Sequence, residues 1–174
     1  MRPDQATRRS RPERHRGKRA FTLVELGVVS VIIGLLAALA VPSLKRSVLA
    51  AKSDAVINDL RVFSAAYQHY MQEKGDWPED SAPGEYPAGM EQFLRSSNWT
   101  KRSAIGGLYN WEPDTTQGGV KVRAAIAISS SETEIVSSDR VQLEDIDRRF
   151  DDGNLSTGMF RLGFGLEPIY IIEP

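Results

Sequence analysis

The sequence predicts an α+β fold: one long N-terminal α-helix packed on a small antiparallel β-sheet head. Three observations predict it. From Leu26 to Val41 there are 16 residues without a charge, with Ser30 the only polar side chain. Beyond that run Leu49, Val56, Leu60, Phe63, Tyr67 and Tyr70 recur at helical spacing, one face of a 3.6-residue period. Past residue 105 the pattern changes to short β-branched and aromatic runs divided by turn signals.

The chain opens on a basic segment. Residues 1–20 carry eight Arg and Lys side chains against Asp4 and Glu13, a net +6, while the remaining residues sum to −7. A basic block of this kind is either a nucleic-acid arm or a flank that stays cytoplasmic beside an apolar helix. Its direct junction with the apolar run selects the second, and no nucleic-acid partner is expected for the rest of the chain. Residues 21–44 number 24 and span about 36 Å as a helix, enough to cross a bilayer. Glu25 sits near the start of this run, where an ionised carboxylate is costly and usually has a function. Lys45 and Arg46 follow the run, and residues 45–74 continue it as an amphipathic helix. Pro42, inside the helix, removes one backbone hydrogen bond and predicts a bend or local melting. Gly75 and Pro78 punctuate the helix end.

The head, residues 75–174, begins with a Pro-, Gly- and acid-rich loop over 75–90. A short helix over 88–96 presents Met90, Phe93 and Leu94. "IGGLYNWE" (105–112) and "VKVRAAIAIS" (120–129) predict strands. In the second, Val120, Val122, Ala124, Ile126 and Ile128 alternate toward the long helix. Tyr109 and Trp111 in the first are assigned to the core. "SSDRVQLEDIDRRF" predicts a helix with Asp139 as N-cap, Gln142 at capping-box distance, and Val141, Ile146 and Phe150 inward. "DDGN" is a turn, and "LSTGMFRLG" and "EPIYIIE" close the sheet.

"AFTLVELGVVSVIIGLLAALAVPSL" resembles the N-terminal segment of type IV pilins and type II secretion pseudopilins, specifically so over residues 18–45. The resemblance implies a pilin-like fold and a leader, residues 1–20, removed by a prepilin peptidase between Ala20 and Phe21, with methylation of the new amine. Ala20 stands where the family usually has glycine. Glu25 matches the family's glutamate and would face the Phe21 amine of a neighbouring subunit; Pro42 matches its helix-bending proline. The implied function is a structural subunit of a type IV pilus or a secretion pseudopilus, with other pilin or pseudopilin subunits as partners. It would lie in the inner membrane in a single pass, head in the periplasm, and enter a periplasmic or cell-surface filament. Two other readings stay open: a soluble binding domain secreted after cleavage at Ala40, and a signal-anchored periplasmic protein.

No catalytic constellation is present. The chain has no cysteine, and no Walker loop, nucleophile elbow, zinc-type His pair or dinucleotide fingerprint occurs. An enzyme is not expected, and no cofactor is required. Asp147, Asp151, Asp152 and Asn154 cluster oxygen donors that suit calcium. Their spacing matches neither an EF-hand nor the calcium loop of some pseudopilins, and an Asp-Gly turn explains them equally well.

Overall fold

The computed structural model describes residues 21–117, 119–137 and 139–174. The basic segment 1–20, with Ala20 and His15, lies outside the described residues. Helix α1 spans Leu23–Lys74 and α2 Glu91–Leu94; strands β1 (Leu108–Gln117) and β2 (Val120–Ser129) precede α3 (Arg140–Phe150), and β3 (Phe160–Leu162), a 3-10 turn (Phe164–Leu166) and β4 (Pro168–Glu173) complete the chain. The four strands form one antiparallel sheet in the order β1-β2-β4-β3. This is the α+β, pilin-like architecture the sequence predicts.

The chain divides into two compact units, residues 1–42 and 43–174. In the first, the described part of α1 contributes apolar side chains that are all exposed, and the helix is long and apolar enough to cross a membrane. Helical structure continues through Pro42, so the local melting that a proline permits does not occur.

In the second unit the periodic face of α1 forms one wall of the core. Val56, Leu60, Phe63 and Tyr67 are fully buried and pack with Tyr109, Trp111, Ala124, Ile126 and Ile128 of the sheet. Phe63 meets Tyr109 and Trp99 edge-on, and Tyr67 stacks on Trp111 with centroids 3.9 Å apart. The indole N–H groups of Trp77, Trp99 and Trp111 donate to Glu173, to the Glu85 carbonyl and to the Pro78 carbonyl. Buried indoles need such partners, and the loop 75–90 supplies two of them.

Several details differ from the sequence expectation. Strand β1 starts at Leu108, three residues late, because Gly106 and Gly107 both hold left-handed backbone, φ +87° and +72°. A Cβ on Gly107 would lie 2.3 Å from Val136 Cγ2, so the pair is a tight crossing under 135–136 and not a strand. The strand then runs on through Pro113, tolerated because β1 is at the sheet edge. In β2 the alternation breaks. Pairing with β4 shifts register between Ala124 and Ala125, and Val122 joins Ala125, Ala127, Ile169 and Ile171 on the second buried face. Helix α2 is only four residues long, and its Leu94 and the preceding Met90 are buried.

In α3 Asp139 is the N-cap, accepting from the Val141 amide at 3.0 Å. Gln142 closes no capping box. Its amide donates instead to Ser53 Oγ (2.7 Å) and the Leu49 carbonyl (3.2 Å), so long-range partners displace the local one. Val141 is 67% exposed, and the inward face is Gln142, Leu143, Ile146 and Asp147. Asp59, which falls between the periodic apolar positions of α1, is only 9% exposed and accepts from the Tyr109 hydroxyl (2.9 Å) and Asn98 Nδ2 (3.1 Å).

Candidate functional site

Two places carry the residues singled out from the sequence: the start of α1 and the turn after α3. At the first, Phe21 is 78% exposed and precedes the helix. Thr22 and Glu25 close a reciprocal cap. The Thr22 amide and hydroxyl donate to Glu25 Oε2, each at 2.9 Å, and the Glu25 amide donates back to Thr22 Oγ1 at 3.2 Å. This is a capping box, which satisfies donors that a helix N-terminus leaves open. The T-x-x-E spacing announces it in the sequence, and the sequence expectation overlooked it. Glu25 thus has a partner within its own chain, through one carboxylate oxygen.

The apolar side chains from Phe21 to Val48 are solvent-facing: fifteen large hydrophobic residues in that span are exposed. Exposing such a side chain instead of burying it costs about 1.5–3 kcal/mol. Across the span this exceeds the roughly 5–15 kcal/mol net stability of a typical domain. The segment therefore calls for an apolar environment that the described residues do not provide. Adding a Cβ at Gly27 or Gly34 would meet nothing within 4 Å, so both are open to close approach by another helix.

At the second place, one carboxylate oxygen each from Asp147, Asp151 and Asp152 lie within 4.8 Å of one another. Asp151 Oδ2 accepts from the amides of Met159 and Phe160. Asp152 accepts from the Asn154 amide (2.8 Å) and the Thr157 hydroxyl (2.7 Å), and these bonds, the hydroxyl's first, hold its carboxyl below the usual range. Asn154, grouped with the aspartates by sequence, spends its side-chain oxygen on the Ser156 amide. Asp147 differs from all of these: it is 0% exposed. Burial pushes its carboxyl above the usual carboxylate range, helped by the charges of Asp152 and Asp151. The Gly153 and Asp152 amides face it and offset part of that effect, yet neither oxygen meets hydrogen-bond geometry with any group.

Tyr109 and Trp111 are core residues, as assigned from the sequence. His69 packs edge-on against Phe93 at 5.2 Å.

No family model matches the chain. Over 65 residues it is 37% identical to the fimbrial protein EcpC of Eikenella corrodens, a stretch that covers 37% of this chain and 42% of that protein. The chain thus matches less than half the length of this relative. The similarity is to a fimbrial protein, and it accords with the long apolar helix.

Proposed function

We propose that the chain is a pilin-like structural subunit of a type IV pilus or a type II secretion pseudopilus. Residues 1–20 are a cytoplasmic leader cut by a prepilin peptidase between Ala20 and Phe21, and the amine of Phe21 is then methylated. Residues 21–44 anchor the protein in the inner membrane and later form the filament core. Residues 45–74 join that helix to the head, residues 75–174, which lies in the periplasm and forms the filament surface. Glu25 then meets the Phe21 amine of a neighbouring subunit, and Pro42 lets the helix bend along the filament axis.

The observation that carries this reading is the stretch of exposed apolar side chains from Phe21 to Val48, with an acidic residue near its start. A lipid bilayer can cover that surface before assembly, and neighbouring helices can cover it afterwards. Similarity to a fimbrial protein supports the same class of function.

The test is the N-terminus of the mature protein, read by mass spectrometry on material from the membrane fraction. N-methylated Phe21 is the expected result. A mature chain beginning at Val41 would identify a secreted domain, and an intact Met1 a signal anchor; either would refute the proposal.

A further inference from the structure

The turn between α3 and β3 holds a buried carboxylate that no cationic side chain among the described residues pairs with. Asp147 lies on the inward face of α3, fully buried, and neither of its side-chain oxygens has a hydrogen-bond partner. No ion pair among the described residues reaches it; nearby Arg149 is engaged by Asp54 and Asp145. A buried carboxylate persists when it is hydrogen-bonded, paired with a cationic side chain or bound to a metal. A cationic partner is missing among the described residues, and the Gly153 and Asp152 amides face the carboxylate outside hydrogen-bond geometry. Its close neighbours, moreover, are two further carboxylates, Asp151 and Asp152.

These neighbours are already oriented by the loop. The Met159 and Phe160 amides fix one oxygen of Asp151, leaving Oδ1 with no hydrogen bond among the described residues. Thr157 and the Asn154 amide fix Asp152. Gly158 closes the turn with φ +74°, and a Cβ there would come within 2.1 Å of Asp151 Oδ2. The three offered oxygens span no more than 4.8 Å. That is comparable with the diameter of a calcium shell, twice the Ca–O distance of about 2.3–2.6 Å, so one ion can reach all three.

We propose that Asp147, Asp151 and Asp152 form a binding site for a single calcium ion. Calcium is favoured over magnesium because its coordination shell is irregular and tolerant, whereas magnesium demands a near-ideal octahedron that ligands already held by a loop do not supply. Asp147 contributes the buried, otherwise unpartnered ligand. Asp151 and Asp152 face solvent, so water completes the shell on the open side. The site stands independently of whether the chain assembles into a filament.

The test uses the full chain in detergent, stripped with a chelator and titrated with CaCl₂ or, separately, MgCl₂. Calorimetry should find one calcium equivalent with Kd on the order of 0.1–1 mM, weak because two of the three carboxylates are exposed. Calcium should also raise the thermal midpoint, and magnesium should bind at least about tenfold more weakly. Asp147→Asn should abolish the calcium response and raise the metal-free midpoint, since an amide there buries no charge. Asp152→Asn, at an exposed position, should leave the chain folded and weaken calcium binding about tenfold or more. Should Asp147→Asn fail to fold, Asp152→Asn decides alone. The proposal is overturned if the parent shows no saturable calcium binding up to about 10 mM. It is equally overturned if magnesium binds as tightly as calcium, or if Asp152→Asn binds calcium as the parent does.

Discussion

Glu25 can serve two masters, and the chemistry of its side chain separates them. Within the chain it accepts from Thr22 and caps α1. In the proposed filament its charge also pairs with a neighbour's amine. Glutamine retains the cap, because Glu and Gln both serve at that position of a capping box. It removes the charge. If the pair exists, Glu25→Gln and Glu25→Ala should both insert and mature like the parent and both fail to assemble. Breaking a buried pair costs about 3–5 kcal/mol, more than a hundredfold at each interface. If Glu25 is only a cap, Glu25→Gln should assemble normally and Glu25→Ala alone should suffer, by about 1 kcal/mol. Recovery of sheared filaments, normalised to mature protein, distinguishes the two.

The contact between α1 and the sheet illustrates how elements were and were not legible in the sequence. Helical spacing named Val56, Leu60, Phe63 and Tyr67, and all four are buried, because periodicity is a local property of the chain. Asp59 falls between those apolar positions and is nonetheless buried. Its partners, Tyr109 and Asn98, lie some forty to fifty residues away and leave no trace in the local pattern. Gln142 failed for the same reason, drawn to Ser53 and Leu49. The late start of β1 and the Thr22–Glu25 cap were local and readable: two adjacent glycines and a T-x-x-E spacing carry them. The calcium candidates were legible as a composition, whereas the burial of Asp147 required the fold.

Tyr67, where α1 stacks on β1, also makes the core sensitive to alkali. Its hydroxyl is buried without a partner, and burial pushes its phenol well above the ordinary value; Tyr109 is raised as well, by burial and then by Asp59. An acid whose folded pKa lies above its unfolded value of about 10 contributes stability below that pH and loses it as pH rises. Unfolding above about pH 10 should therefore be steep. Tyr67→Phe should stabilise by about 1 kcal/mol at neutral pH by removing an unpaired polar group, and should move the alkaline midpoint upward. Urea midpoints measured from pH 7 to 12 check both. A clear loss of stability at pH 7 would mean that the hydroxyl has a partner after all.

At the scale of the whole molecule, α1 belongs to two units with opposite requirements. The part before Ser43 offers exposed, mostly apolar side chains, and the part after it supplies one wall of the head's core. A chain cut just before residue 45 should consequently behave as a soluble, cooperatively folding α+β monomer. The cut must stay ahead of Leu49, whose carbonyl accepts from Gln142, and ahead of Ser53, whose hydroxyl bonds Asp145 at 2.6 Å and Gln142. These bonds fasten α3 to α1. Removing residues through Tyr70 instead strips Val56, Ile57, Leu60, Phe63 and Tyr67 from the core. Each is worth about 1.5–3 kcal/mol when buried, together comparable with the roughly 5–15 kcal/mol that holds a domain folded. It would also leave Tyr109 without Asp59 and expose the faces of Trp99 and Trp111 that Phe63 and Tyr67 cover. That shorter chain should aggregate or remain unfolded. Thermal unfolding followed by near-ultraviolet circular dichroism reads both outcomes, since the stacked tyrosine and tryptophans supply the signal. A single cooperative transition in the shorter chain would mean that the sheet closes its core without the helix, and the division of labour along α1 would have to be abandoned.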